Sequence, residues 1–369
     1  MAVTSSLAMK LYVSSYSGNI TSFSLSRRSN GVYALSEMFS IGDSAPSPAW
    51  LTLDRENNIL YGVDEGLLVP TGSVASYRAH EDGSLETLSR QETVVGGYVF
   101  LFRTDFSILR LVQWRERETL AFTLPIPGPV PDRQEASHPH QAITDPTGHY
   151  ILVPDLGADL VRVFLRDSVT QSLRPCAPLK VSPGSGPRHA VFWSTENGRG
   201  TEDVYLYVIT ELANTVTAYS VTYLEDGELA FAKVYTTSTF GSKVAPVGAA
   251  AAEIAISPDN RFLLLSNRND SSFPFEQDGT MESTVERSDS LAQYRIRPDG
   301  TLDFLGLHAA GGSFPRQFSI NKDGSLIAVA LQRSSRVVVL DRNVKTGEIG
   351  DLVAEAHVHG EVTCVIWND

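Results

Sequence analysis

At 369 residues the chain is long enough for two ordinary domains or for one large repeat architecture with an extensive core. Its 42% hydrophobic and 20% charged content is that of a globular protein, and a formal charge of -13 argues against a broad nucleic-acid surface, although not against a local basic pocket. No run approaches the roughly 18 apolar residues of a membrane span, so no membrane partner is expected, and the start Met1–Met9 lacks the basic and apolar regions of a signal peptide.

In chain order the first element is the strand-like Lys10-Leu-Tyr-Val-Ser14, which reads as the second strand of a unit. Pro48–Asp54 then opens a unit: a short apolar strand, the turn Arg55–Asn58, a second strand at Ile59–Tyr61, and Asp82-Gly83 ahead of a fourth. A weak copy of the opening strand lies at Val94–Phe102. The stretch Val94–Leu124 around it has no Asp-Gly or Asn-Gly turn and carries the charge run Arg115–Glu118, so a blade or a short helical intrusion fits there.

The pattern resumes at Pro139–Asp145, with Pro146–Gly148 before Tyr150–Val153 and a third strand at Asp159–Leu165, and again at Pro187–Trp193, with Asn214–Val221 and Asp226-Gly227. Further copies follow at Ala252–Asp259, with Phe262–Leu265 and Asp299-Gly300, and at Pro315–Asn321, with Lys322–Gly324, Leu326–Val329 and Ser335–Leu340. Gly360–Trp367 closes the chain as an opening strand with nothing after it. Asp, Asn and Gly favour tight hairpin turns because they tolerate positive φ or bond their own backbone. Four strands per unit at a period of about 45–65 residues predict an all-β, seven-bladed β-propeller of four-stranded antiparallel blades. It would be one domain over 1–369, with the N- and C-terminal strands joined in one blade and no sheet edge left open.

In such a fold the opening strands line a central channel, and equivalent repeat positions meet at its mouth. The Pro-x step aligns Ala49, His140, Arg188 and Arg316, with Ala252 less securely; the ends of the second strands align Tyr16, Glu65, Asp155, Glu211, Arg268 and Gln332. A set of His, Glu and Arg at these positions exceeds what packing requires. Each also has a bland reading: the Pro-Arg and Pro-His side chains as caps on carbonyls, Asp155 as an arginine's partner, Arg162, Arg166 and Arg336 as solvated charges. His189 is read as structural, since alternation turns it to the opposite side of its strand from Arg188.

Nucleophile-elbow, phosphate-loop and zinc-protease motifs are missing from the sequence. Cys176 and Cys364 have no metal-ligand spacing and are too few for a disulfide framework, which points to a reducing, cytoplasmic setting. A cation held by Glu211, Asp155 and Asn267 is conceivable but would compete with the arginines for the same carboxylates, so no metal is expected.

Ser137-His-Pro-His140 with Asp145-Pro-Thr-Gly148, Gly184-Ser-Gly-Pro-Arg-His189, Thr210-Glu-Leu-Ala-Asn214, Ser266-Asn-Arg268 and Phe314-Pro-Arg-Gln317 together resemble the seven-bladed lactonase propeller family. That family includes propeller-type 6-phosphogluconolactonases and a fungal 3-carboxy-cis,cis-muconate lactonizing enzyme. The resemblance implies a cofactor-free site acting on a carboxylated or lactone small molecule, with His140, Glu211, Arg188 and Arg268 as catalytic residues. Arg316, Asp155, Gln332, Tyr16 and Trp50 are the expected substrate contacts. The first expectation is a ring-closing cyclase in which His140 and Glu211 move protons and the arginines stabilise enolate charge. Hydrolysis of a phosphogluconolactone is the alternative, and an inactive interaction platform is another.

Overall fold

The computed structural model describes residues 9–29, 31–42, 46–69, 71–95, 120–170, 172–195, 202–275 and 286–369. These residues form strands and turns, and no helix among them is long and apolar enough to cross a membrane. The chain divides into two compact units, Met1–Gly96 with Ser271–Leu291 and His308–Asp369, and Gly97–Asp270 with Ala292–Leu307.

In the first unit one sheet has the order β26 (Val362–Asn368), β1 (Met9–Ser15), β2 (Asn19–Arg27), β3 (Tyr33–Ile41). The last strand therefore pairs with the first, Leu11 opposite Trp367 and Val13 opposite Val365. A second sheet runs β4 (Pro48–Asp54), β5 (Ile59–Asp64), β6 (Thr71–Ala79), β7 (Leu85–Val95). A third runs β22 (Pro315–Ile320), β23 (Leu326–Leu331), β24 (Arg336–Arg342), β25 (Ile349–His357). A two-stranded ribbon, β18 (Phe273–Phe275) with β19 (Glu286–Ser288), stands beside them in sequence.

Two sheets of the second unit are β8 (Ile143–Thr144), β9 (Tyr150–Asp155), β10 (Leu160–Arg166), β11 (Leu173–Lys180) and β12 (Pro187–Ser194), β13 (Val204–Thr210), β14 (Thr215–Tyr223), β15 (Leu229–Ser238). Most of the sheet β16 (Ala250–Ile256), β17 (Phe262–Arg268), β20 (Ser290–Ile296), β21 (Leu302–Ala309) also lies there.

The described residues thus form six four-stranded sheets, and the expected count of seven blades is corrected to six. Val94 and Val95 do not open a blade; they end the eleven-residue outer strand β7, where Val95 pairs with Thr71. Of the rest of the stretch Val94–Leu124, residues 96–119 lie outside the described residues and Leu120–Leu124 form no strand.

Turn chemistry builds the hairpins as the sequence suggests. Between the first two strands a side chain at the end of the inner strand accepts backbone N–H groups across the turn: Asp145 from Tyr150 at 2.7 Å, Ser257 from Phe262 at 3.0 Å, Asn321 from Leu326 at 2.9 Å. The Asp-Gly turns before the fourth strands place Gly83 and Gly227 at φ 87° and 78°, a region that disfavours any side chain. Apolar faces of neighbouring sheets then close on one another within each unit. Leu11, Phe23, Val337, Val339 and Trp367 form one such core, and Leu206, Val208, Val161 and Leu152 another. Each buried side chain of this size contributes on the order of 1.5–3 kcal/mol, so the inter-sheet layers, not the turns, carry the stability.

Candidate active site

Side chains at the tips between second and third strands set where the next inner strand begins. Asp159 accepts the N–H groups of Gly184 at 2.6 Å and Gly186 at 2.9 Å, on the loop that leads into β12. Gly186 has φ 63°, and a Cβ there would come within 2.6 Å of the Leu212 side chain, so the Gly-Ser-Gly-Pro approach has a steric cause. Asn214 does the same for β16, accepting from the Ala251 N–H at 2.8 Å and donating to the Ala249 carbonyl at 2.9 Å. Arg188, His189 and Glu253 are delivered by these two inner strands.

Glu211 follows β13 directly and is fully buried. Its carboxylate is met by three guanidinium groups: Arg188 Nη1 at 2.6 Å and Arg268 Nη2 at 2.7 Å on Oε2, and Arg133 Nη2 on Oε1. Burial alone would raise the Glu211 carboxyl, but the charges of Arg268, Arg188 and Arg133 outweigh it and hold the group well below the usual carboxylate range. Glu211 is therefore an ionised anchor for arginines at neutral pH. With three cations on one anion, the cluster carries excess positive charge.

Arg188 and Arg268 are buried, and Arg268 also donates to the carbonyls of Ala250 at 3.2 Å and Ala251 at 3.3 Å. The Arg133 side chain is 49% exposed. Its loop is pinned by the buried Gln134, which accepts the Val130 N–H at 3.1 Å and donates to the Leu156 carbonyl at 2.9 Å.

His140 is buried, with Nδ1 3.0 Å from Nε2 of His189, and His189 Nδ1 lies 2.9 Å from Glu253 Oε1. Because Arg188 and His189 are consecutive, the arginine cluster and the histidine pair are joined through one residue step. Both reach into this region because the ladder of β12 with β13 shifts register between Pro187 and His189. A bulge breaks the strict alternation by which His189 was read as turned away.

Asp155 is closed to solvent and saturated by the protein: Ser137 Oγ at 2.5 Å, the His138 N–H at 2.8 Å, and Arg162 Nε and Nη2 at 2.8 and 2.7 Å. Arg162, read as a solvated charge, thus serves this carboxylate. The remaining expected contacts belong to the first unit. Tyr16 donates to Glu65, Arg316 Nη2 approaches Glu65 Oε2 at 3.4 Å, and the Arg316 guanidinium lies 5.5 Å from the Tyr16 ring centre. Gln332 donates to Glu361 at 2.6 Å, and Trp50 packs against the core that holds Tyr12, Leu51 and Tyr77.

Three side chains that complete this geometry were not anticipated from the sequence: Arg133, His189 and Glu253. A signal for two of them exists one residue beyond the Pro-x step, where the aligned copies read Trp50, Gln141, His189, Glu253 and Gln317. Among the described residues no cluster of three His, Cys, Asp or Glu side chains could hold a metal ion.

Four-stranded β blades carrying an arginine-rich, histidine-containing site define a propeller enzyme scaffold. The chain belongs to the family described as Lactonase, 7-bladed beta-propeller, whose model matches residues 10–105 and 106–367. It is 31% identical over 340 residues to a protein of Arthroderma benhamiae named "Probable 6-phosphogluconolactonase", covering 87% of this chain and 80% of that one. It is 29% identical over 361 residues to the 6-phosphogluconolactonase of Formosa agariphila, covering 92% of each. The structure of the periplasmic gluconolactonase PpgL of Pseudomonas aeruginosa matches with a TM-score of 0.75 at 22% identity, covering 98% of this chain and 99% of that one, a likeness of fold. Both relatives are named 6-phosphogluconolactonases and neither a cyclase, which overturns the ring-closing cyclase expected first.

Proposed function

We propose that the protein hydrolyses a phosphorylated sugar lactone of the 6-phosphogluconolactone type. The carrying observation is the set of three guanidiniums on the buried Glu211, an excess of positive charge that suits an anionic substrate, one residue step from a buried histidine pair. The names of the relatives support the same substrate class.

In this reading His140 takes a proton from the attacking water, whose oxygen bonds to the lactone carbonyl carbon. The tetrahedral oxyanion is stabilised by Arg188 and Arg268, which Glu211 holds in place without reorganisation at the moment of reaction. When the ring C–O bond breaks, the proton returns from the histidine to the departing ring oxygen, giving the open hydroxy acid. Arg133, half exposed, receives the phosphate in forked geometry. A cytosolic location belongs to the proposal, supported by two free cysteines, Cys176 and Cys364; cell fractionation tests it.

The test is proton release from 6-phosphogluconolactone in a pH-stat with the purified full chain, with mass spectrometry of the product. A gain of one water at a rate well above spontaneous opening, reduced about 10²-fold or more in His140→Ala and Arg188→Ala, is the expected result. Equal rates in the variants and the parent would overturn it.

A further inference from the structure

We propose that His189 and Glu253 are positioning residues that form, with His140, a proton relay: they fix the tautomer of His140 so that Nε2 is its reacting nitrogen, and hold the proton taken from water until the ring oxygen leaves. The proposal rests on the hydrolytic reading in taking His140 as the base.

The geometry is a line of ring nitrogens ending on a carboxylate. Glu253 Oε1 lies 2.9 Å from His189 Nδ1 and also accepts the Ile254 N–H at 3.0 Å, while Ser266 Oγ holds the Glu253 N–H at 3.0 Å. The carboxylate is thereby turned towards His189, and its Oε2 is buried without a hydrogen-bond partner among the described residues. An ionised Glu253 accepts from Nδ1–H of His189. The Nε2 of His189 is then an acceptor, and at 3.0 Å it takes the Nδ1–H of His140. Neutral His140 is left with its lone pair on Nε2.

Proton bookkeeping closes without another reactant. Water loses a proton to His140 Nε2 as its oxygen bonds to the carbonyl carbon. The Nδ1 proton of His140 passes to His189 Nε2, so that the positive charge sits on His189 against Glu253. Collapse of the tetrahedral intermediate breaks the ring C–O bond. His189 then returns its proton to His140 Nδ1, and Nε2 gives its own to the alkoxide.

The repeat supplies an internal control. At the equivalent position Gln141 accepts the Ala190 N–H of the following inner strand at 2.7 Å, and Gln317 accepts the Val365 N–H at 2.8 Å. Joining neighbouring inner strands is thus done in these two copies by a neutral amide. An ionisable pair that is 2% and 4% exposed costs more to bury than glutamine would, and its difference from glutamine is the ability to carry a proton and a charge. Other charged groups on the adjoining elements are Arg188 and Arg268, both paired with Glu211, and Asp155, paired with Arg162.

Two measurements separate this relay from the hydrolytic reading. The first needs no turnover: ¹⁵N spectra of the full chain, with His140 and His189 assigned through His→Gln variants. They should show His140 protonated at Nδ1 and bare at Nε2 above the titration of the pair, and in Glu253→Gln the pair should titrate at lower pH, by about one unit, because a stabilising negative charge is lost. The second is the pH profile of kcat/KM for 6-phosphogluconolactone. Glu253→Gln should move its acidic limb down by the same amount and lower kcat about tenfold or more with KM within about twofold. A His140 protonated at Nε2 in the parent, or an unmoved titration in Glu253→Gln, overturns the relay whatever the activity. If the parent opens no lactone while the spectra are as expected, the substrate assignment falls, and with it the proton-holding step, while the tautomer of His140 set by His189 and Glu253 stands.

Discussion

Replacing Glu211 by Gln keeps the size of the side chain and removes the one anion shared by three arginines. Breaking a buried pair by removing one partner costs about 3–5 kcal/mol, because the partner charge remains desolvated. The structure sets the cost within that range. Arg133 is half exposed and recovers solvent, and Arg268 keeps two backbone carbonyls at 3.2 and 3.3 Å, which limits the loss. The lower end, about 3 kcal/mol, is expected. The measurement is equilibrium unfolding in urea, followed by tryptophan fluorescence, for parent and variant across pH.

The sign of the pH dependence is fixed by the direction of the Glu211 shift. Its folded carboxyl is held below the ordinary value of 4.5, so its contribution is fully present above that value and declines as the pH falls towards the folded one. The difference between parent and Glu211→Gln should therefore be largest near about pH 7 and shrink in acid. A loss below about 1 kcal/mol at neutral pH, or a difference that stays constant into acid, would refute the claim that this carboxylate is an ionised anchor.

Arg133→Ala should raise KM for the phosphorylated lactone about tenfold and leave unphosphorylated gluconolactone within about twofold, which parallel steady-state assays will show; equal effects on both would mean that Arg133 serves only Glu211. Asp155→Asn should lower stability by about 1.5–3 kcal/mol in the same urea experiment, since its partners are all protein groups, and leave kcat within about twofold. A selective rise in KM would instead make Asp155 a substrate contact.

Strand placement was legible wherever turn chemistry marks both ends of a strand. Pro48–Asp54 and Pro187–Trp193 are β4 and, to within one residue, β12, and Gly360–Trp367 pairs with the first strand as the missing inner strand of its sheet. Val94–Leu124 has no such punctuation, so the apolar run at Val94 could be read as a new blade when Val94 and Val95 prolong an outer strand. Equivalent repeat positions also brought out Glu211, Arg188 and Arg268, because side chains at matching points of neighbouring blades meet. Arg133 was not legible, since it comes from a connecting loop that has no counterpart in the other copies and is fixed by the hydrogen bonds of Gln134.

The histidine pair shows how a regular repeat can conceal its own exceptions. Period-two alternation assigns Arg188 and His189 to opposite sides, which holds for a ladder in register. Similar register shifts occur near the start of β4, β16 and β22, between Pro48 and Trp50, Ala251 and Ile254, and Pro315 and Gln317. The bulge is thus a recurring property of the inner strand, and it gives each of these copies two adjacent positions that can serve its neighbours. In Gln317 the second position does no more than bind the next strand, as Gln141 does from just ahead of β8. In His189 and Glu253 the same position carries ionisable groups, so the chemistry occupies places that the repeat had already built for holding strands together.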